Sequence, residues 1–170
     1  RVVEWMKLKE KSKIQRDFIE MISSAFGLTD ISDMEILKEK GIKIALKKQA
    51  RTTRQGVVES YIHFDSKIGS MIEVDCETDF VARLEEFRRF ARDLAMQIAA
   101  TSPLYIKKED VPPEVLKKHQ QEGLSEELFY SQYCLLEQDF IKDPTLKIKD
   151  YLNSLVSKVG ENIVIKRFLL

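Results

Sequence analysis

The sequence predicts an α+β fold in which a three-stranded antiparallel sheet is covered by helices. Three observations carry this. Residues 57–76 hold two alternating apolar runs separated by a short polar turn; residues 80–98 repeat apolar side chains at helical spacing; and a later amphipathic stripe ends at a glycine, followed by the alternating run ENIVIKRF. A hairpin plus a returning strand makes a sheet with one apolar face, which helices must bury.

Each element has local grounds. The stretch GVVESYIHFDSKIGSMIEVDC reads as strands over Val57–Phe64 and Ile68–Cys76, with Asp65, Ser66 and Lys67 as the turn. Counting from Phe80, apolar residues recur at Leu84, Phe87, Ala91, Leu94, Ala95 and Ile98, so Leu84, Phe87 and Ala91 are expected in the core. From Leu146 to Val159 a second helix places Ile148, Tyr151, Leu152, Leu155, Val156 and Val159 on one stripe, and Gly160 stops it. Pro112, Pro113 and Gly123 divide the region from Pro103 to Pro144 into short helices joined by turns. Val2 to Gly41 has helical spacing interrupted near Gly27 and Thr29–Ser32, which predicts three short helices stopping at Gly41. The basic run from Ile42 to Gln55 reads as a helical linker. The expected organisation is therefore a helical satellite at 1–41, a linker at 42–56 and a core domain at 57–170.

Composition excludes several function classes. The 170 residues are 44% apolar and 33% charged, ordinary for a globular domain, and 28 lysines and arginines balance 28 aspartates and glutamates. No net field draws the chain to nucleic acid or to an anionic membrane, so partners are recognised by shape, with no direct nucleic-acid or membrane contact expected. Cys76 and Cys134 lack CxxC spacing, which argues against a zinc site or a disulfide scaffold and suits a reducing compartment. No apolar run approaches the roughly 18 residues of a membrane span. Because Arg1 rather than methionine comes first, a removed leader stays open. There is no GxxxxGK[ST] or other glycine-rich phosphate cradle, and His63 and His119 have no Ser, Cys or carboxylate constellation around them. Neither an enzyme nor a cofactor or metal site is expected.

One stretch does not fit a purely structural reading. In VDCETDFVARLEEFRRFA, Glu77, Thr78, Asp79 and Phe80 place an acid, a threonine, another acid and an aromatic ring in succession. Thr78 or Asp79 is the natural N-cap, which puts Phe80 in the first helical turn. A ring there is either the end of the buried stripe or a probe aimed at another molecule. Periodicity supports the first reading and position the second.

The same residues carry a family likeness. VDCETDFVAR followed by FxxFAxDxAMQIAA resembles the core of bacterial and organellar translation elongation factor Ts. EILKEKGIKIALKKQARTTRQGVVESYIH is similar to that family's link into its core, SKIGSMIEV to its second strand, and LLEQDFIKDPTLKIKDYLNSLVSKVGENIVIKRF to the end of its core. The resemblance runs from Met34 to Phe168. It implies a guanine nucleotide exchange factor for elongation factor Tu, with Thr78, Asp79, Phe80 and Val81 as the partner-binding motif. In the family the motif's phenylalanine enters the partner's GTPase domain near the magnesium and phosphate site. A phenyl ring cannot replace the oxygen ligands of magnesium, so its effect is mechanical.

The resemblance also implies a ubiquitin-associated-like (UBA-like) three-helix domain at residues 1–41, and here the sequence departs from it. Where the family has a TGAGMMDCKKAL-type motif, this chain has SKIQRDFIEMI: Ser12 and Asp17 match, Lys13, Ile14 and Gln15 replace the glycine loop, and Arg16 disrupts the paired methionines. Altered partner contact is expected there, with Lys38, Lys40, Lys43, Lys47 and Lys48 as a solvated face able to steer encounter. A single core copy resembles the family's short members and suggests a homodimer. The alternative reading is an exchange-inactive relative serving as a structural or interaction subunit of an organellar ribosome or assembly. The expected compartment is a bacterial cytoplasm, or alternatively a mitochondrion or plastid.

Overall fold

The computed structural model describes residues 31–121, 123 and 125–170. The SKIQRDFIEMI stretch and most of the expected satellite lie outside them. In chain order the elements are α1 (Ile31–Lys48), β1 (Gln55–Ile62), β2 (Gly69–Cys76), α2 (Asp79–Arg83), α3 (Glu85–Thr101), α4 (Pro113–Gln121), α5 (Glu126–Tyr133), β3 (Asp139–Phe140), β4 (Asp143–Lys147), α6 (Ile148–Val159) and β5 (Ile163–Leu169). β1 and β5 flank β2 in an antiparallel three-stranded sheet, with Val57 opposite Val74 and Asp75 opposite Val164. The expected sheet of three strands is present, with slightly different limits. β1 stops at Ile62 and β2 starts at Gly69, because the Ser66 amide bonds to the His63 carbonyl at 2.8 Å, with Ser66 at φ 58°.

Alternation along the strands decides which face is covered. Ser70, Ile72, Val74 and Cys76 of β2 point inward, as do Ile163 and Ile165 of β5, and α3 lies across β1 and β2. Phe87, Phe90, Ala91, Leu94, Ala95 and Ile98 on α3 are fully buried. Each of the larger chains contributes about 1.5–3 kcal/mol when buried. The Ser70 hydroxyl donates to the Ala95 carbonyl at 2.5 Å, which pins helix to strand.

Behind α3 sits α6, whose Ile148, Leu155 and Val156 complete the core. Tyr151 packs its ring edge-on against Phe90, with centroids 4.9 Å apart, and donates to the buried Asp93 carboxylate at 3.1 Å. Lys142 also donates to Asp93, at 2.5 Å, so this buried charge is paired. As expected, α6 ends at Gly160, whose φ of 77° suits a glycine. A smaller cluster of Val111, Phe129 and Cys134 joins α4 and α5. His119 belongs to it, its ring 4.7 Å from that of Phe129, while His63 pairs with the Tyr61 hydroxyl at 3.1 Å.

Four expectations need correction. Leu84 is not core: it is 44% exposed, because it adopts an extended conformation (φ −63°, ψ 133°) and splits the expected helix into α2 and α3. Gly41 does not stop a helix, since α1 runs through it to Lys48; Gly41 lies beside Ser157 of α6, and one glycine costs a helix only about 1 kcal/mol. Lys48 is not merely a solvated charge, because its ammonium donates to the Gly160 carbonyl at the end of α6. Finally, Leu146 lies in a small β3–β4 hairpin and not in α6. The buried Gln97 side chain holds that hairpin, donating to the Asp139 carbonyl at 3.1 Å and accepting from the Ile141 amide at 2.8 Å. Local sequence gives no signal for a partner more than forty residues away.

Two measurements test this core. Phe87→Ala is expected to cost about 3–5 kcal/mol in urea unfolding, whereas Leu84→Ala costs about 1 kcal/mol or less; equal losses would contradict the break at Leu84. Both cysteines are buried, and burial pushes each thiol from 9.0 up to about 11, with the charge of Glu161 adding to Cys76 and that of Glu137 to Cys134. The raised values mean that the unfolded chain ionises first, so this stability is complete below pH 9.0 and is lost as pH rises through about 11. A Cys76→Ala, Cys134→Ala variant is expected to lose less melting temperature across that window than the parent.

Candidate partner-binding site

The end of β2 delivers the chain into a tight turn and a helix of five residues. Thr78 is the N-cap, extended at φ −127° and ψ 157°, and its hydroxyl faces the Val81 amide at a long 3.5 Å. Asp79 is therefore the first helical residue, not the cap, and it pairs with Arg83 one turn on at 2.9 Å. Val81 and Ala82 are buried and root α2 in the core. Phe80 projects away from them and is 78% exposed.

The two readings of Phe80 are thereby separated. A continuous helix would carry the stripe from Phe87 back through Leu84 to Phe80, but the extended Leu84 interrupts it, and α2 starts afresh with its own buried side. The ring stands outside the hydrophobic core. Thr78, Asp79, Phe80 and Val81 occupy one turn, with Val81 beneath and Phe80 outermost.

Sequence reasoning missed the residues that brace this turn. One carboxylate oxygen of Glu161 accepts from the backbone amides of Glu77 and Thr78 at 3.1 and 3.0 Å, and the other accepts from the Thr78 hydroxyl at 2.5 Å. The Asn162 amide donates to the Glu77 carboxylate at 2.6 Å. The Asn162 side chain, itself buried, donates to the Arg51 carbonyl at 2.8 Å and the Gln49 carbonyl at 3.4 Å. Arg51 approaches Glu77 at 3.7 Å. The Glu161–Asn162 pair thus joins three segments: the exit from α1, the turn before α2, and the start of β5. The polar pair between the Gly160 cap and an apolar strand is its only trace in the sequence.

Among the described residues no cluster of His, Cys, Asp and Glu could hold a metal ion, and no helix is long and apolar enough to cross a membrane. What the turn presents is an exposed aromatic ring on a hydrogen-bonded backbone.

Comparison with known proteins agrees with the motifs. The family model described as elongation factor TS matches residues 29–128. The elongation factor Ts of Caldanaerobacter subterraneus subsp. tengcongensis is 49% identical, the match covering 79% of this chain and 77% of the relative. That of Carboxydothermus hydrogenoformans is 46% identical over 80% of this chain and 71% of the relative. For Thermodesulfovibrio yellowstonii the identity is 46%, over 80% and 77%. With a braced TDFV turn on a helix-covered antiparallel sheet, and with this extent of similarity, the chain belongs to the elongation factor Ts family.

Proposed function

We propose that the chain is a guanine nucleotide exchange factor for elongation factor Tu, acting through the Thr78–Val81 turn, with Phe80 entering the GTPase domain near its magnesium and phosphate site. The observation that carries this reading is the 78% exposure of Phe80 on a turn whose next two residues are buried. A ring held in solvent gives up apolar burial in the free protein and recovers it in a complex, where burying it contributes about 1.5–3 kcal/mol.

Exchange follows from linkage. A factor that binds the nucleotide-free GTPase more tightly than the nucleotide-bound form weakens GDP binding by the same ratio, so GDP leaves faster without any covalent step. The ring offers no oxygen to magnesium, so it acts by displacing the groups that hold the ion and the phosphates. Thr78 and Asp79 set the start and the charge of the turn, while Val81 anchors it from below. The relatives are bacterial, which supports a bacterial cytoplasm as the place of action.

Release of fluorescent GDP from elongation factor Tu tests the reading. The parent chain is expected to accelerate it, and no acceleration would leave only the exchange-inactive alternative. Phe80→Ala is expected to lose about 2 kcal/mol or more of binding, roughly 30-fold in affinity, with folding stability changed by about 0.5 kcal/mol or less. Normal exchange by that variant would remove Phe80 from the mechanism.

We also propose that two copies pair through the uncovered face of the sheet. Val58, Ile62, Met71 and Leu169 all lie there, each 47–70% exposed, beside the Glu73–Arg167 ion pair. Exposed apolar side chains gathered on one face support a contact there. Sedimentation equilibrium is expected to show a dimer of the 19.8 kDa chain, and Met71→Lys to shift it to monomer; a parent that stays monomeric at high concentration refutes the pairing.

A further inference from the structure

We propose that Glu161 is a positioning residue for Phe80: its carboxylate, 81 positions downstream in the chain, holds the turn that presents the ring. This rests on the exchange reading above and extends it to a residue outside the TDFV motif.

The physical need is plain. A helix of five residues cannot sustain itself, because forming the first helical turn is unfavourable and too few hydrogen bonds follow to offset it. The usual internal remedy is weak here, since the Thr78 hydroxyl lies 3.5 Å from the Val81 amide. That same hydroxyl points its proton at Glu161, 2.5 Å away. Two further bonds from Glu161 take up the amides of Glu77 and Thr78, at 3.1 and 3.0 Å, just ahead of the helix. Bonds from neutral donors to a carboxylate are among the stronger ones in proteins. Glu161 therefore fixes the backbone on one side of Phe80, and burial of Val81 and Ala82 fixes it on the other.

Asn162 keeps Glu161 in place. Its amide donates to Glu77 and its side chain to the carbonyls of Gln49 and Arg51, while Lys48 donates to the carbonyl of Gly160. Four polar contacts made by Gly160 and Asn162 thus tie the two neighbours of Glu161 to the α1 exit and the turn. The chemistry is one of preorganisation: a ring already held in its binding pose loses less conformational freedom when it enters the partner, so binding retains more of the gain from burial.

The test uses the full chain with Glu161→Ala and the near-isosteric Glu161→Gln, in parent and Phe80→Ala backgrounds. Amide hydrogen exchange on the free chain is read first. Both variants are expected to lose protection at Glu77 and Thr78 by about tenfold, with the amides of Leu94 and Ile98 in α3 unchanged. If Glu161→Ala loses protection throughout, the Gln variant alone decides. Unchanged protection at Glu77 and Thr78 in the Gln variant overturns the proposal. GDP release is read second, at factor concentrations below saturation. The Glu161 variants are expected to slow it several-fold in the parent background and to add nothing once Phe80 is alanine, which is the signature of acting through that ring. Equal further losses in both backgrounds also overturn the proposal. Should Phe80→Ala itself leave GDP release intact, the exchange mechanism fails on that result, and the amide data still decide whether Glu161 holds the turn.

Discussion

The burial of one face of α3 against the inner face of the sheet is the interaction on which the other features depend. Phe87, Phe90, Leu94 and Ile98 have no exposure at all, and they meet Ile72, Val74 and Cys76 beneath them. A three-stranded sheet alone would leave its apolar face in water and would be marginal. With α3 in place, the strand β2 is buried on one side, β5 is held against it, and α6 gains a surface to pack on. The position of the Thr78–Val81 turn follows, because α2 lies between the last residue of β2 and the first of α3 and has only the room those two leave.

The break at Leu84 changes which side chains α2 buries. Had the helix run uninterrupted from Asp79 to Thr101, the periodicity of the stripe would have drawn Phe80 toward the core. Extended geometry at one residue resets the phase, so α2 can bury Val81 and Ala82 while turning Phe80 outward. The cost is a short helix that needs outside support, and Glu161 and Asn162 give it. Strength and weakness therefore sit side by side: a rigid sheet–helix core, and an exposed ring whose pose depends on a handful of polar bonds.

Exchange by this chain needs no reactive group, only a shape offered in a fixed place. On the proposed mechanism, the free energy for displacing magnesium and phosphate comes from contacts made more favourably with the nucleotide-free partner. A loose ring would lose much of that energy to ordering on binding. Bracing by the start of β5 also ties the turn to the exit of α1, so the turn and that exit share one set of polar contacts.

By itself, the sequence determined a mixed fold with a three-stranded antiparallel sheet and helices, and the stop at Gly160. These rest on alternation, helical period and glycine at a left-handed position, which act over a few neighbouring residues. It could not decide whether Phe80 was buried or exposed, because periodicity and position argued oppositely and the deciding feature was the backbone conformation of Leu84. Nor could it show the role of Glu161, Asn162, Gln97 or Lys48. Each of these bonds to a group between 41 and 113 residues away in the chain. Hydrogen bonds at that separation leave no local pattern, since only the folded chain brings donor and acceptor together.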